Sequence, residues 1–243
     1  MLPKIDVYSI MRNEIKILPY FLRHYETFAS RIFVWDDDSD DGTREILDAH
    51  PQVTILELPF HGADDVQYVK QIWPQYSKYS NGIADWCMCV DADEFVYCPN
   101  LVEKLEELGK AGVKKIRCEG YTMHSSTFPT TNNQIYDEIK MGWPDCWSKK
   151  DVVFTPDITM SWTPGRHGCV PLRHHPTAKH VGIKLLHFRY MGPEYFLARD
   201  KKNCDSMRIS FNDKKRGNLP DGTRGMRYEW YENQKDKLMR VVE

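Results

Sequence analysis

The sequence predicts an α/β protein in which a mainly parallel sheet is flanked by helices, followed by a more irregular C-terminal half. Strand-like and helix-like segments alternate through residues 4–117, which is the pattern of βαβ units. One strand-like segment, residues 86–90, is apolar at every position, as expected for a strand buried on both faces. After residue 121 the alternation gives way to a stretch rich in Thr, Asn, Pro and Trp.

The individual elements follow from the spacing of apolar residues. The predicted strands are residues 4–11, 31–35, 53–58, 86–90, 113–117, 151–154 and 184–188. The predicted helices are residues 14–28, 42–49, 64–79, 101–108, 194–207 and 228–242. Asn13 is the expected N-cap of the first helix, because its side chain can accept an amide proton of the first turn. Pro74 must bend or split the third helix, because proline has no amide proton and clashes with the preceding turn.

Charge and hydropathy exclude several classes of protein. The 243 residues include 33 Lys and Arg against 35 Asp and Glu, so no positive surplus attracts nucleic acid. Seven scattered cysteines without a CxxC motif predict reduced thiols rather than disulfides or a zinc site. No apolar run approaches the ~18–20 residues that span a bilayer, and the N-terminus has no signal-peptide pattern. We therefore expect a cytoplasmic protein without a transmembrane segment, whose membrane contact, if any, is peripheral or through a partner.

Two acidic clusters follow predicted strands. Residues 36–41 come directly after the second strand, and Asp91, Asp93 and Glu94 come directly after the fourth. In open parallel sheets ligands bind outside the carboxyl ends of the strands. Carboxylates this close together repel one another, and a hard cation such as Mg²⁺ or Mn²⁺ neutralises them. The simpler alternative for both clusters is a solvated turn with aspartates that cap the following helix.

The first cluster also matches part of a calcium-binding loop. Positions 1, 3, 5, 6 and 12 of an EF-hand loop correspond to Asp37, Ser39, Asp41, Gly42 and Asp48. An EF-hand needs a helix before the loop, whereas a strand is predicted there. Position 12 is also Asp rather than the bidentate Glu, so we consider this interpretation a weak alternative.

Three ordered segments resemble family 2 glycosyltransferases of the GT-A fold. They are Ser9–Pro19, Trp35–Thr43 and Asp85–Phe95, and they are most similar to the branch with an R-N-E opening and a D-x-D-E-F metal motif. The resemblance covers roughly residues 5–98, with a weaker similarity at 186–190 and 194–196. Two features depart from the family. Asp38 stands where glycine is usual, and the second half has no Glu-Asp pair, where many members carry the catalytic base.

The resemblance implies a single GT-A domain over residues 1–243, with a Rossmann-like sheet. Residues 1–98 would be the nucleotide-sugar-binding half, and residues 99–243 the acceptor-side half with C-terminal helices. The residues expected to bind the nucleotide sugar are Ser9, Arg12, Asn13, Glu14, Asp36, Asp37 and Asp91. A Mn²⁺ or Mg²⁺ ion would be held by Asp91, Asp93 and His187. The alternative is that His187, one of nine histidines in the chain, has only a structural role.

The chemistry expected of such a site explains why it needs these residue types. Breaking the bond between sugar and phosphate builds negative charge on the leaving diphosphate, which a dication stabilises. An inverting transfer also needs one general base to take the proton of the acceptor hydroxyl. We favour Asp145, which lies between Trp143 and Trp147, two residues able to stack on a sugar. Asp157 and His167 are the alternatives.

We therefore expect a metal-dependent inverting glycosyltransferase. It would move a sugar from a nucleotide-diphosphate-sugar donor to a glycan or other hydroxyl acceptor, in polysaccharide or glycan assembly. A second enzyme class, a nucleotidyltransferase acting on sugar phosphates, also uses paired aspartates and a divalent metal. That class usually carries a glycine-rich phosphate loop, and residues 9–18 contain no glycine. The non-enzymatic alternative is a calcium- or carbohydrate-binding module.

Overall fold

The computed structural model describes residues 2–60, 65–166, 175–206 and 233–243. Its strands are β1 (Ile5–Met11), β2 (Arg31–Asp36), β3 (Val53–Leu56), β4 (Trp86–Cys89), β5 (Glu94–Tyr97), β6 (Lys115–Ser125), β7 (Met141–Pro144), β8 (Val153–Phe154), β9 (Thr177–Met191) and β10 (Met239–Arg240). Its helices are α1 (Leu18–Tyr25), α2 (Thr43–Ala49), α3 (Asp65–Gln67), α4 (Tyr76–Ser80), α5 (Leu101–Lys110), α6 (Ile135–Glu138) and α7 (Pro193–Ser206).

The first half of the chain forms a parallel, Rossmann-like unit with the strand order β3-β2-β1-β4. The chain moves outward from β1 to β3 and then returns to the other side of β1. Because crossovers of this kind are right-handed, the reversal puts the connecting helices on opposite faces. Phe21 of α1 packs with Val7 on one face, and Tyr76 of α4 packs with Tyr8 on the other. The predicted α/β class is confirmed, and β1 and β4 flank its topological switch point.

The second half continues the same sheet through mostly antiparallel pairs. β8 bonds to both β4 and β6, and β7 and β10 follow beyond β6. β9 runs parallel to β6 and antiparallel to β5. With 11 and 15 residues, β6 and β9 are much longer than the predicted strands 113–117 and 184–188. This half is therefore more regular than the sequence predicted.

Two predictions about helix geometry have different outcomes. The helical segment 65–80 passes through a π-helical turn at Tyr68–Ile72 and a 3-10 turn at Trp73–Gln75, so the predicted disturbance at Pro74 is confirmed. Asn13 is not the N-cap of α1, which begins at Leu18 after Ile17. Its backbone has a positive φ of 53°, and its side chain exchanges two hydrogen bonds with Asp40, at 2.7 and 2.8 Å.

The predicted helix 228–242 is wrong from residue 233 onward, where the described chain forms a 3-10 turn and β10. Residues 228–232 lie outside the described part. Val241 and Val242 are buried, and both of their amides donate to the carbonyl oxygen of Lys140. Packing against the sheet edge therefore overrides the local helical pattern. Within the described residues, no helix combines the length and apolar character required to cross a bilayer.

Candidate active site

The acidic segments lie together at the carboxyl ends of three neighbouring parallel strands. Residues 12–14 follow β1, residues 36–37 end or follow β2, and residues 91–93 follow β4. Ligands of open α/β sheets bind in the crevice at the topological switch point, which here lies between β1 and β4. The site predicted from the acidic clusters therefore has a structural basis that is independent of sequence resemblance.

Most of the first acidic cluster holds the loops after β1 and β2 together. The amide of Asn13 donates to Ser39 Oγ at 2.9 Å, and the amide of Ile15 donates to Asp41 Oδ2 at 3.1 Å. Asp41 also accepts the amide of Thr43 at the start of α2, at 3.0 Å. β2 precedes this loop where an EF-hand requires a helix, so the loop does not have EF-hand geometry.

Two aspartates of this cluster, Asp36 and Asp37, lie beside Met11 at the end of β1. The Asp37 carboxylate accepts a hydrogen bond from Tyr68 Oη at 2.9 Å and lies 3.6 Å from the Arg12 guanidinium. Asp36 Oδ1 and Ser9 Oγ are buried, and neither has a hydrogen-bond partner within the described part of the chain. Buried polar atoms without partners are rare in proteins, and they commonly mark positions where a ligand or ordered water completes the bonding.

Asp91 belongs to a compact ion cluster with Glu94. Its Oδ1 lies 2.8 Å from Arg166 Nη2 and its Oδ2 lies 3.6 Å from Lys150 Nζ. Glu94 is completely buried and is paired with the same two cations. Arg166 also stacks on the ring of Trp73, 4.0 Å from its centroid. Burial alone would raise the pKa of Asp91, but the charges of Arg166 and Lys150 outweigh it and lower that pKa to about 2.

Asp93 belongs to a second ion cluster on the other side of the acidic turn. Its Oδ2 lies 3.0 Å from His187 Nε2 and accepts a hydrogen bond from Arg199 of α7. Arg199 also reaches Glu14 Oε1 at 3.3 Å and so connects the loops after β1 and β4. Burial would raise the pKa of Asp93, but Arg199 and His187 hold it well below its usual range.

His187 is brought to this position by β9, whose pairing with β5 places it opposite Glu94. On the other side of β9 its register partner is Thr122 of β6. Its second ring nitrogen, Nδ1, lies 3.4 Å from Ser148 Oγ. Ser148 in turn donates to Asp145 Oδ2, at 3.1 Å. The structure therefore brings Asp93, His187 and Asp145 together, although they come from distant parts of the sequence.

The predicted metal ligands are only partly assembled. In the part of the chain that the structure describes, no group of three or more His, Cys, Asp and Glu side chains is arranged to hold an ion. Asp93 and His187 are a suitable pair, because adjacent ligands at ~2.1 Å from one ion lie about 3.0 Å apart. Asp91 faces Arg166 and Lys150 instead.

The charge balance of the site also fits a bound dication. Among the described side chains of the two ion clusters, four carboxylates face three Lys and Arg side chains; they are Glu14, Asp91, Asp93 and Glu94, with Lys150, Arg166 and Arg199. The site therefore has no surplus positive charge with which to hold a polyanionic ligand such as a diphosphate. A hard divalent cation with one or two protein ligands would supply that charge.

The three candidate bases have different fates. Asp145 lies beside His187, but Trp143 is buried against Tyr190 and is not available as a platform for a sugar. Asp157 is half-exposed and pairs with Lys114 at 2.8 Å. Because β8 runs antiparallel to β4, Asp157 lies toward the amino end of β4, whereas Asp91 follows the carboxyl end of the same strand. His167 lies outside the described residues.

Sequence reasoning missed two of the cations and two of the hydroxyls of the site. The missed residues, which lie in segments without a recognisable motif, are Lys150, Arg166, Ser148 and Thr122. The one available signal was the buried acidic turn itself, since carboxylates that a fold buries require cationic partners.

No protein-family model and no curated protein matches the chain. Among solved structures, the crystal structure of S. aureus TarS aligns with 87% of this chain at 13% identity and a TM-score of 0.45, and the chain covers 41% of it. The structure of S. aureus TarS 1-349 aligns with 87% at 11% identity and a TM-score of 0.44, with 68% of that chain covered. Its complex with UDP-GlcNAc aligns with 79% at 13% identity and a TM-score of 0.46, with 60% covered. The chain thus spans less than half of the first TarS structure.

Proposed function

We propose that the protein is a glycosyltransferase that moves a sugar from a nucleotide-diphosphate donor to a hydroxyl acceptor. The observation that carries this proposal is the Asp93–His187 pair, which lies with Glu14 and Asp91 at the switch point between β1 and β4. These acidic residues stand in the segments whose motifs resemble family 2 glycosyltransferases.

The nucleotide end of the donor would lie against the loops after β1 and β2. Ser9 and Asp36 offer buried atoms without partners there, and the Asp37 carboxylate is oriented by Tyr68. Carboxylate and hydroxyl oxygens accept hydrogen bonds from base ring nitrogens and from ribose hydroxyls. Arg12 and Asn13 would complete this part of the pocket.

The diphosphate would lie between the two ion clusters. Asp93 and His187 would hold a Mn²⁺ or Mg²⁺ ion, with Asp91 beside it. When bound, such an ion neutralises the negative charge that develops on the departing diphosphate. Arg199 and Arg166 already carry positive charge at this position, where Glu14 and Glu94 pair with them. The chain therefore contributes oriented cations as well as the carboxylates that would bind the ion.

Inversion at the sugar is part of the proposal and follows from the resemblance alone. It requires a general base on the acceptor side. Of the sequence candidates Asp145, Asp157 and His167, Asp157 lies toward the amino end of β4, away from Asp91. Analysis of the anomeric configuration of the product tests inversion directly, and a retained configuration would contradict it.

The test of the whole proposal is incubation with a panel of nucleotide-diphosphate sugars, Mn²⁺ or Mg²⁺, and hydroxyl acceptors. Release of free nucleoside diphosphate that depends on the acceptor supports sugar transfer. Release of pyrophosphate from a nucleoside triphosphate and a sugar phosphate would indicate a nucleotidyltransferase instead. Binding of a sugar or of Ca²⁺ with neither product would indicate a binding module.

A further inference from the structure

We propose that Asp145 is a positioning residue, which acts through Ser148 to orient His187 toward Asp93, and that it is not the general base. The inference rests on the proposed function, because it takes His187 as one of the residues that would hold the divalent cation. It gives a role to three buried or half-buried polar side chains that the donor-binding proposal leaves unused.

A continuous chain of hydrogen bonds carries this inference. Asp145 Oδ2 accepts from Thr122 Oγ1 at 2.8 Å and from Ser148 Oγ at 3.1 Å. Ser148 Oγ lies 3.4 Å from His187 Nδ1, and His187 Nε2 lies 3.0 Å from Asp93 Oδ2. The imidazole of His187 is therefore held between a hydroxyl on one side and the acidic turn on the other.

The direction of these hydrogen bonds follows from the number of protons available. A hydroxyl group has one proton, and an ionised carboxylate has none, so Ser148 must donate its proton to Asp145. The oxygen of Ser148 then faces His187 as an acceptor, which requires the proton of the imidazole to be on Nδ1. This arrangement directs Nε2 at Asp93, where a cation shared by the two residues would take the place of an Nε2 proton. Histidines that bind metals commonly donate their other ring N–H in this way.

The backbone around this chain leaves it little freedom. Ser148 and Thr122 are both buried, and Thr122 is the register partner of His187 between β6 and β9. The amide of Asp145 donates to the carbonyl oxygen of Gly120 at 3.0 Å. A Cβ atom at Gly120 would lie 2.1 Å from the carbonyl carbon of Ser148, so the turn Cys146–Ser148 rests directly on β6 at a glycine.

The same contacts argue against a general base at Asp145. Two buried hydroxyl groups, those of Thr122 and Ser148, donate to a single carboxylate oxygen of Asp145, and so engage the oxygen that leads to His187 through Ser148. A general base must instead direct an oxygen at the hydroxyl group of the acceptor. The geometry thus matches a group that orients another residue.

The test compares Asp145→Asn, Ser148→Ala and Asp157→Asn, with correct folding checked by circular dichroism. The dissociation constant of Mn²⁺ alone is measured by electron paramagnetic resonance of free Mn²⁺, and turnover is measured at increasing Mn²⁺. We expect Ser148→Ala to weaken Mn²⁺ binding by roughly 10–100-fold, with turnover recovered at saturating Mn²⁺. Asp145→Asn keeps an oxygen acceptor for Ser148, and we therefore expect its turnover at saturating Mn²⁺ to stay within about tenfold of that of the wild type. Asp157→Asn is the matched control and should leave Mn²⁺ binding unchanged.

The opposite outcomes are distinct. If Asp145 is the general base, Asp145→Asn loses about 100–10,000-fold in turnover at every Mn²⁺ concentration while binding Mn²⁺ normally, and the inference is overturned. It is also overturned if Ser148→Ala binds Mn²⁺ as the wild type does. A wild-type protein that binds Mn²⁺ in a Ser148-dependent manner but releases no nucleoside diphosphate would contradict the proposed function and leave the positioning role supported.

Discussion

Arg199 and His187 contact the same carboxylate oxygen, Oδ2 of Asp93, although they come from α7 and β9. A divalent cation bound at that oxygen would lie within a few ångströms of the guanidinium group. Two positive charges at such a distance repel each other strongly where water is largely excluded. The guanidinium of Arg199 must therefore leave Asp93 when a cation binds, and Glu14 is the partner that remains to hold it.

The first prediction follows from this competition. Arg199→Ala should bind Mn²⁺ about tenfold more tightly than the wild type in the absence of nucleotide, because a charge-assisted hydrogen bond that costs ~1.5–3 kcal/mol to break is gone. Isothermal titration with Mn²⁺ alone measures the effect. Lys110→Ala is the control, since Lys110 pairs with Glu106 on the exposed face of α5. Weaker Mn²⁺ binding by Arg199→Ala would show that the arginine shapes the site instead of competing with the ion.

The second prediction concerns Asp93 and corrects an expectation. Taken from the sequence alone, Asp93 is an exposed member of a repelling cluster, and its removal should hardly affect stability. The structure contradicts the expected exposure, because Asp93 is buried and contacts both Arg199 and His187. Asp93→Ala should lower the free energy of unfolding by on the order of 3 kcal/mol, since it removes one carboxylate of a buried ion cluster and leaves Arg199 with Glu14 alone. It should also reduce metal-dependent turnover by roughly a thousandfold or more.

Urea denaturation and steady-state rates at saturating Mn²⁺ measure the two effects of Asp93→Ala separately. Asp157→Ala removes an exposed carboxylate paired with Lys114 and should change stability by less than about 1 kcal/mol. Turnover close to that of the wild type in Asp93→Ala would mean that the metal site has been assigned to the wrong residue.

The third prediction uses two glycines with different surroundings. Gly120→Ala should destabilise the fold by about 1–3 kcal/mol and weaken Mn²⁺ binding. The added Cβ atom would overlap the backbone of Ser148 and Lys149, and a backbone cannot avoid the overlap by changing rotamer. Gly109 lies in α5, and a Cβ there would be 3.7 Å from the Trp86 side chain, an ordinary contact. Gly109→Ala should therefore stabilise the protein by roughly 0.5–1 kcal/mol. Thermal unfolding of the two variants compares their stabilities. Equal changes in stability for the two substitutions would contradict the close approach at Gly120.

The fourth prediction concerns pH and lies outside the candidate site. Burial lowers the pKa of His24 to about 4, although the hydrogen bond to the Val96 carbonyl oxygen opposes the shift. His24 is thus neutral in the folded protein at pH values where the unfolded chain binds a proton. Its contribution to stability is complete above about pH 6.5 and declines as the pH falls toward 4, by roughly 3 kcal/mol in total.

Urea denaturation at a series of pH values between 7 and 4 tests this contribution. His24→Gln should show a smaller loss of stability over that range than the wild type. His180→Gln, a change on the exposed part of β9, should leave the dependence of the free energy of unfolding on pH as it is in the wild type. If His24→Gln leaves the dependence of the free energy of unfolding on pH unchanged, other groups cause the acid sensitivity.

Local patterns were sufficient to predict the half of the fold that contains the acidic segments. β1, β2 and β4 are short apolar runs bounded by polar turns, and their order along the chain predicts the parallel sheet. Because ligand sites of such sheets lie at the carboxyl ends of the strands, the acidic residues could be placed correctly without knowledge of the rest of the chain.

The remaining features depend on contacts between distant residues. β9 begins with exposed polar residues and is a strand because β6 and β5 both pair with it, which no local pattern records. The cations that neutralise Asp91 lie in irregular segments, and only the folded chain shows that Arg166 reaches it. The last described residues illustrate the reverse case, because residues 239–240 fall in the predicted helix 228–242 and nevertheless pair with β7 as an edge strand.

The double pairing of β9 also has a consequence for the order in which the protein matures. Asp93 and His187 are separated by 94 positions, and the backbone amide of Phe188 donates to the carbonyl oxygen of Asp93. During synthesis, therefore, the acidic turn emerges long before the strand that covers it. Until β9 arrives, β5 presents an unpaired edge that is competent to join another chain. Pairing of β9 with β5 therefore completes the carboxylate–imidazole pair and also covers an edge through which the chain could aggregate.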